Sequence, residues 1–226
     1  MNRYLTLCLV VTLVGYTSLA AAAEPTADEV REYQEMKAKA EAGDVNAQYK
    51  LGGMLAKGAG VAKNDAEAVK WYRQAAEKND PRGQSMLGVM YTNARGVERD
   101  YTEAIKWFNK AAAQNSAHAH YNLGYMYSTG KGVTKDDATS AEWYRKAAEQ
   151  NDVNSQRILS GLYAVGRGVP KDPVLAHAWA TVAVAGGNTA SQAQLTKLTE
   201  QLTPEQKDAA TKAAQEISAR LAKIKK

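Results

Sequence analysis

Apolar side chains recur along this chain in columns that lie 36 residues apart. One column is leucine, one contains every tryptophan of the chain, and one is glycine followed by valine. Their members are Leu51, Leu87, Leu123 and Leu159; Trp71, Trp107, Trp143 and Trp179; and Gly60, Gly96, Gly132 and Gly168. A fixed period of about 20 to 50 residues is the signature of a repeat protein. The pattern predicts four units, at 44–79, 80–115, 116–151 and 152–187.

Each unit shows helical spacing twice, on either side of a glycine turn. In the first unit, Ala68, Trp71 and Tyr72 lie three or four residues apart on one face. Residues with short polar oxygens, which accept the free N–H groups of a helix start, precede both stretches: Asp44, Asp80, Ser116 and Asp152, then Asn64, Asp100, Asp136 and Asp172. Glu67 and Glu103 follow their caps by three residues, which predicts capping boxes. Every unit is therefore predicted to be a helix-turn-helix pair.

Small residues mark the places where the two helices of a pair approach each other. Glycine or alanine occupies one position of each helix, at Gly52, Gly88, Gly124, Ala68, Ala104 and Ala176. Removing side-chain volume lets helices pack closely. The tryptophan and the aromatic residue beside it are expected to fill the space between consecutive units.

Two segments flank the four units. Residues 24–43 end in Ala40-Glu41-Ala42-Gly43 and resemble a lone second helix, which predicts an N-terminal capping helix. Residues 188–226 begin a partial fifth unit and continue into a C-terminal capping helix, whose apolar face is predicted to be Ala210, Ala213, Ala214, Ile217, Leu221 and Ile224. Basic residues gather at its end, so an arm that binds an anionic surface is the alternative: Arg220, Lys223, Lys225 and Lys226.

Several columns together resemble a known family. Leu-Gly-x-Met-Tyr, a Gly-x-Gly-Val turn, an Asp and Ala-x-x-Trp-Tyr-x-x-Ala-Ala, as in residues 87–112 and 123–148, are similar to the Sel-one-like repeat, a relative of the tetratricopeptide helix pair. Ala94, Ser160 and His177 depart from the pattern. The resemblance implies an all-α fold: a right-handed α/α superhelix, or solenoid, of about four 36-residue helix-turn-helix repeats with N- and C-terminal capping helices.

Residues 1–23 have the features of a secretory signal peptide. Arg3 precedes an apolar run from Leu5 to Leu19, and Ala20 to Ala23 offer a small-residue cleavage site. We therefore expect a periplasmic or secreted protein. An uncleaved N-terminal anchor is the alternative, although the run is short for a membrane span, and no integral membrane span is expected in the mature form.

Charge and cysteine content narrow the classes of partner. The chain has 29 basic and 24 acidic residues, a net charge of +5, without the dense basic stripe of nucleic-acid-binding proteins, so no nucleic acid is expected. The single cysteine, Cys8, lies inside the predicted signal peptide. The mature chain would therefore have no disulfide and no thiol nucleophile.

No catalytic or metal-binding set emerges from the sequence, and no cofactor is expected. Ser128 and Lys131 match the Ser-x-x-Lys spacing of penicillin-recognising enzymes, but the companion motifs Ser-Asp-Asn and Lys-Thr-Gly are absent. Cysteine-rich members of the resembled family have been described as β-lactam-binding, so a β-lactam-binding or envelope hydrolase function is one alternative. His118, His120 and His177 lack the i, i+4 pairing of a helical zinc site.

In tetratricopeptide-like arrays the first helix of each pair lines the concave side, and varying positions there are candidates for recognition. This geometry gives Tyr49, Arg82, His118, Tyr121, Tyr125 and Arg157, and also Asn46, Lys57, Ser85, Val89, Asn93, Thr129 and Asn154. Such side chains combine apolar area with hydrogen-bonding ends, which suits peptide recognition. We expect a monomeric, non-enzymatic scaffold that binds a protein or peptide. A secreted host-directed factor is a further alternative.

Overall fold

The computed structural model describes residues 25–224, which form eleven helices and no strand. The predicted signal peptide, Lys225 and Lys226 lie outside this range. The first helices of the four units are α2 (Val45–Lys57), α4 (Pro81–Asn93), α6 (Ala117–Thr129) and α8 (Val153–Val165). The second helices are α3 (Asp65–Glu77), α5 (Tyr101–Ala113), α7 (Asp137–Ala148) and α9 (Pro173–Ala185). The flanking helices are α1 (Ala27–Glu41), α10 (Ser191–Gln201) and α11 (Pro204–Ala222).

All eight polar caps accept backbone N–H groups as predicted. Asp44 Oδ1 accepts from Ala47 at 2.7 Å and Asp152 Oδ1 from Ser155 at 2.6 Å. The predicted capping boxes at Glu67 and Glu103 are wrong. These carboxylates pair instead with lysines one turn later, Lys70 and Lys106. Capping boxes do occur in the described residues at the two outer helices, α1 and α11.

The helices of a pair pack through a glycine that faces a buried aromatic ring. A Cβ atom added to Gly88 would lie 2.6 Å from the ring of Phe108, and one added to Gly52 would lie 2.8 Å from Tyr72. Gly124 faces Tyr144 in the same way at 2.9 Å. In the first three units, the aromatic residue after the tryptophan therefore fills the interior of its own unit, rather than the space between units.

Consecutive units are tied together through buried side-chain amides. Gln84 Nε2 donates to the carbonyl oxygen of Ala76 near the end of the preceding second helix, at 3.2 Å. Gln48 and Gln156 make the same bond, to Ala40 and Ala148. Because Ala40 belongs to α1, this helix stands where the second helix of a preceding unit would stand.

The turn of each unit also rests on the preceding second helix. Gly132 has a φ of +73°, and a Cβ atom there would lie 2.7 Å from the Cβ of Tyr101 at the start of α5. Both the left-handed backbone and the lack of space favour glycine. The glycine–valine column is therefore a stacking contact between units.

At the C-terminal end, α10 follows α9 as a further first helix, whereas α11 packs against α9. Ala210, Ala214, Ile217 and Leu221 are buried, and the last three share a cluster with Trp179. Ile224 is 54% exposed because α11 ends at Ala222, so the prediction that it belongs to the apolar face is wrong. The prediction of an all-α solenoid of helix pairs is confirmed.

Candidate partner-binding face

The outward sides of α2, α4, α6 and α8, with the turns that follow them, form one surface, which we name the first-helix face. The opposite sides of these helices are buried through leucines and glycines of the repeat. Helices α4 and α6 are in direct contact, so the first helices of the second and third units adjoin. The six predicted recognition residues lie on these four helices.

Tyr49 and Arg82 form one cluster that spans the first two units. The Arg82 guanidinium lies 4.7 Å from the centre of the Tyr49 ring and donates to Asp80 at 2.6 Å and Asn46 at 3.0 Å. Burial raises the pKa of Asp80, but hydrogen bonds from Arg82 and from the backbone of Gly83 outweigh it and hold this pKa below its usual range. Arg82 is therefore held in place before any partner arrives.

His118 and His120 occupy opposite sides of α6, as their two-residue separation predicts. His118 is exposed on the first-helix face. His120 is 3% exposed, stacks on Trp143 with ring centres 5.4 Å apart, and has Gln150 Nε2 at 2.8 Å from its Nδ1. It replaces the buried glutamine of the other units, so its role is in packing.

Tyr121 and Tyr125 form a second cluster around Tyr144. The Tyr121 ring meets the Tyr144 ring edge-on at 5.8 Å, and Tyr125 and Ile158 pack on the same buried residues. Burial raises the pKa of Tyr144 to about 12, so this phenol stays neutral at physiological pH. Tyr121 and Tyr125 are half-buried, which leaves part of each ring on the face.

Lys131 contacts Tyr125 and not Ser128. Its ammonium group donates to the Tyr125 hydroxyl at 2.5 Å, and this bond raises the lysine pKa. Ser128 Oγ donates to the Tyr125 carbonyl oxygen at 2.9 Å. Because a base must accept the proton of its nucleophile, a protonated Lys131 bonded elsewhere gives the Ser-x-x-Lys hypothesis no catalytic geometry.

Arg157 lies apart from the Tyr49–Arg82 cluster, at the far end of the face. It lines a cavity of about 280 Å³ together with Ile158, Leu162 and Arg167. Ile158 and Leu162 also pack in the cluster of Tyr121 and Tyr125. The structure therefore brings four of the six candidates into two clusters, Tyr49 with Arg82 and Tyr121 with Tyr125 around Tyr144, and places Arg157 beside the second cluster.

Two further sequence candidates do not lie free on the face. Ser85 is 1% exposed and its hydroxyl lies 3.2 Å from that of Ser116. Val89 packs on the core that contains Phe108. The sequence suggested both residues because their positions vary between units. The rotation of α4 about its axis, however, places both side chains in the contact between units. The Asp80–Arg82–Asn46 network was missed, since neither charge nor spacing specifies contact between neighbouring units.

Residues 25–224 hold no group of three or more His, Cys, Asp or Glu side chains suited to a metal ion. His177 instead places Nε2 at 3.0 Å from the Thr199 hydroxyl on α10. In the same range, no helix has both the length and the apolar content needed to cross a membrane.

Comparison with known protein families identifies four consecutive repeats. The family model of the Sel1 repeat matches residues 45–80, 81–116, 117–152 and 153–188, one residue later than the units defined above. No curated protein sequence matches the chain.

Solved structures give three informative similarities. A protective antigen of uropathogenic Escherichia coli with an SLR fold is 36% identical, with a TM-score of 0.71 over 83% of this chain, which spans only 41% of that protein. A Sel1 repeat protein from Oxalobacter formigenes is 31% identical, with a TM-score of 0.71 over 82% of this chain and 76% of its own.

The immunity protein Pa5087 of Pseudomonas aeruginosa shares the fold at 21% identity, with a TM-score of 0.55 over 89% of this chain and 77% of its own. Sel1 repeat proteins generally mediate protein–protein interactions, and this scaffold is typically non-catalytic. The four matched repeats cover more than half of the chain, which therefore belongs to the Sel1 repeat family.

Proposed function

We propose that this protein is an exported, non-catalytic scaffold that acts as a monomer and binds a protein or peptide on its first-helix face. The observation that carries the proposal is the contrast between two sets of positions. Packing positions repeat from unit to unit, whereas the face carries Tyr49, Arg82, His118, Tyr121 and Arg157 at positions that differ between units. Aromatic and arginine side chains supply most of the binding energy at protein interfaces.

The geometry supports recognition of a partner by rigid groups. Arg82 is fixed by Asp80 and Asn46, and Tyr121 is fixed against Tyr144. Side chains that are already ordered lose less conformational entropy on binding. A partner that contacts both clusters would bridge the first three units.

Export is supported by the sequence features of residues 1–23. The similarity to a protective antigen of Escherichia coli is consistent with a bacterial envelope or secreted protein and favours the host-directed alternative. Fractionation of the native cell into cytoplasm, periplasm, membrane and medium tests this part. Recovery of the uncleaved chain in the cytoplasm alone would contradict export.

The binding face is tested by comparing two variants of the mature protein. Face variant His118→Ala/Arg157→Ala removes recognition groups, whereas control variant Lys106→Ala/Glu142→Ala changes exposed side chains of α5 and α7. Immobilised proteins are incubated with envelope extract or host fluid, and captured proteins are quantified by mass spectrometry. We expect a partner that the wild type and the control retain and that the face variant loses. Equal recovery by all three would remove the face from consideration.

A further inference from the structure

The cavity beside Arg157 combines an apolar floor with two arginines. Ile158, Leu162 and Val165 of α8 supply the apolar part, and Arg157 and Arg167 supply the charge. Val165 is 71% exposed, which makes it the most exposed large hydrophobic side chain in residues 25–224. An exposed apolar side chain at the edge of a cavity is a candidate contact for a partner.

Only the fourth unit has this arrangement. The positions equivalent to Val165 are polar in the other units, at Lys57, Asn93 and Thr129. Gly161 stands where the third unit has Tyr125, and a Cβ atom on Gly161 would meet only Gln194 Nε2, at 3.7 Å. Because Gly161 has no side chain, the cavity of the fourth unit stays open. In the third unit, the ring of Tyr125 occupies the equivalent space.

The two arginines of the cavity differ in how their charge is balanced. Within residues 25–224, Arg157 forms no hydrogen bond and no ion pair, and no acidic residue lines the cavity. The Arg167 side chain is 54% exposed, and its Nε forms an ion pair with Asp137 Oδ1 at 3.7 Å, which is too long for a hydrogen bond. Both guanidinium groups can therefore receive a carboxylate from outside, and guanidinium–carboxylate bonds are among the stronger polar contacts.

We propose that this cavity is a specificity subsite for an acidic peptide segment, in which an aliphatic side chain enters the cavity and a neighbouring Asp or Glu carboxylate binds Arg157 and Arg167. The inference rests on the proposed function and specifies the chemistry of the partner. An aliphatic group matches the floor of Ile158, Leu162 and Val165, and negative charge complements the rim. Ile158 and Leu162 also pack with Tyr121 and Tyr125, so the subsite continues the first-helix face.

The test uses the mature chain with labelled Ile, Leu and Val methyl groups and a probe peptide, acetyl-Gly-Leu-Glu-Gly-Ser-amide, whose only carboxylate is its glutamate. Titration followed by NMR should move the methyl signals of Ile158, Leu162 and Val165. Replacing the peptide glutamate with glutamine should weaken binding about tenfold or more, because a charge-assisted bond is lost. Replacing the peptide leucine with serine should weaken it about tenfold, as expected for losing a buried aliphatic group.

Variants of the protein complete the test. Arg157→Gln/Arg167→Gln should remove the preference for glutamate over glutamine in the peptide, whereas Arg220→Gln on α11 should keep it. The inference is overturned if millimolar peptide leaves the three methyl signals unmoved, if both peptides bind equally to the wild type, or if inorganic phosphate alone produces the same shifts. If the face variant loses partner capture but the peptides fail to bind the wild type, only the subsite is overturned. If the peptides bind but the face variant captures the partner as well as the wild type does, the proposed function is overturned.

Discussion

The second and fourth units fill the same two core positions in different ways. In the second unit, Gly88 lies beneath the fully buried ring of Phe108. In the fourth unit those positions hold Ser160 and Ala180, and the Ser160 hydroxyl donates to the Ala176 carbonyl oxygen at 2.7 Å. The larger first-helix residue occurs where the ring has been lost. Volume is therefore exchanged between the two helices of a pair, as expected in a closely packed interior.

The outward sides of the second helices in these two units also differ. In α5 this side carries Glu103, Lys106 and Lys110, whereas in α9 the same positions are Leu175, Ala178 and Val182. Ala178 is fully buried, and it belongs to the cluster that contains Ile217 and Leu221 of α11. The apolar outer side of α9 explains why α11 packs mainly there, with a smaller contact to Ala148 at the end of α7.

The largest effect is expected from deleting residues 204–226, because the deletion exposes the apolar side of α9. The truncated protein should melt at a lower temperature and aggregate, as measured by calorimetry and size-exclusion chromatography. As a control, Arg220→Gln/Lys223→Gln in the full chain removes charge without touching the buried face and should leave the melting temperature unchanged. A truncated protein that stays monomeric with an unchanged melting temperature, but no longer binds anionic lipid, would favour the arm hypothesis instead.

Phe108→Ala should lower the free energy of unfolding by about 3 to 5 kcal/mol, as is typical for a large aromatic core residue. Gly88→Ser alone should cost about 1 to 3 kcal/mol through overpacking. The double variant copies the arrangement of the fourth unit and should be more stable than the sum of the single effects predicts. Chemical denaturation of the four proteins measures this coupling. Strict additivity would show that the exchange of volume between units has no energetic basis.

Asp80→Ala should cost more than Asp44→Ala, although both remove a helix cap that contributes about 1 kcal/mol. Asp80 also pairs with Arg82, whereas Asp44 has no arginine partner in the described residues. Because the folded pKa of Asp80 is lowered, its contribution is complete above the unfolded pKa of about 4 and is lost as the pH falls through the folded value. Equal losses of stability from the two variants at pH 7 would contradict this account. So would a larger loss from Asp80→Ala than from Asp44→Ala that persists at pH 2.

The smallest effect is expected from His120→Gln, which restores the buried glutamine of the other units. Burial lowers the pKa of His120, so the folded protein resists its protonation. This cost is absent above the unfolded pKa of about 6.5 and grows as the pH falls below it. The wild type should therefore lose stability between about pH 6.5 and 5 more steeply than the variant, as measured by urea denaturation. Parallel pH profiles would show that His120 accepts a proton without penalty.

The repeat period and the caps could be predicted because they depend on local spacing and on single side chains. The capping boxes at Glu67 and Glu103 failed because a lysine one turn later competes for each carboxylate. Ser85 failed as a surface candidate because its burial depends on how α4 is rotated against the next unit. The same limit applies to the Tyr49–Arg82 cluster, which joins residues of different units.

The position of α11 could have been predicted more fully. Leu175, Ala178 and Val182 replace charged or polar residues of the earlier second helices, and this change marks a covered surface at the level of sequence. The cavity beside Arg157 is different. Its open space depends on Gly161 and on the distance between α8 and α10, and the spacing of residues along the sequence does not specify that distance.

Site-specific photo-cross-linking tests the central claim most directly. A benzophenone amino acid is placed at His118 or Val165 on the first-helix face, and at Lys106 or Glu142 on the opposite side, all of which are exposed. After irradiation in envelope extract or host fluid, we predict adducts of the same partner from His118 and Val165 and none from Lys106 and Glu142. Adducts formed from Lys106 and Glu142, with none from His118 and Val165, would contradict the assignment of the first-helix face as the binding surface.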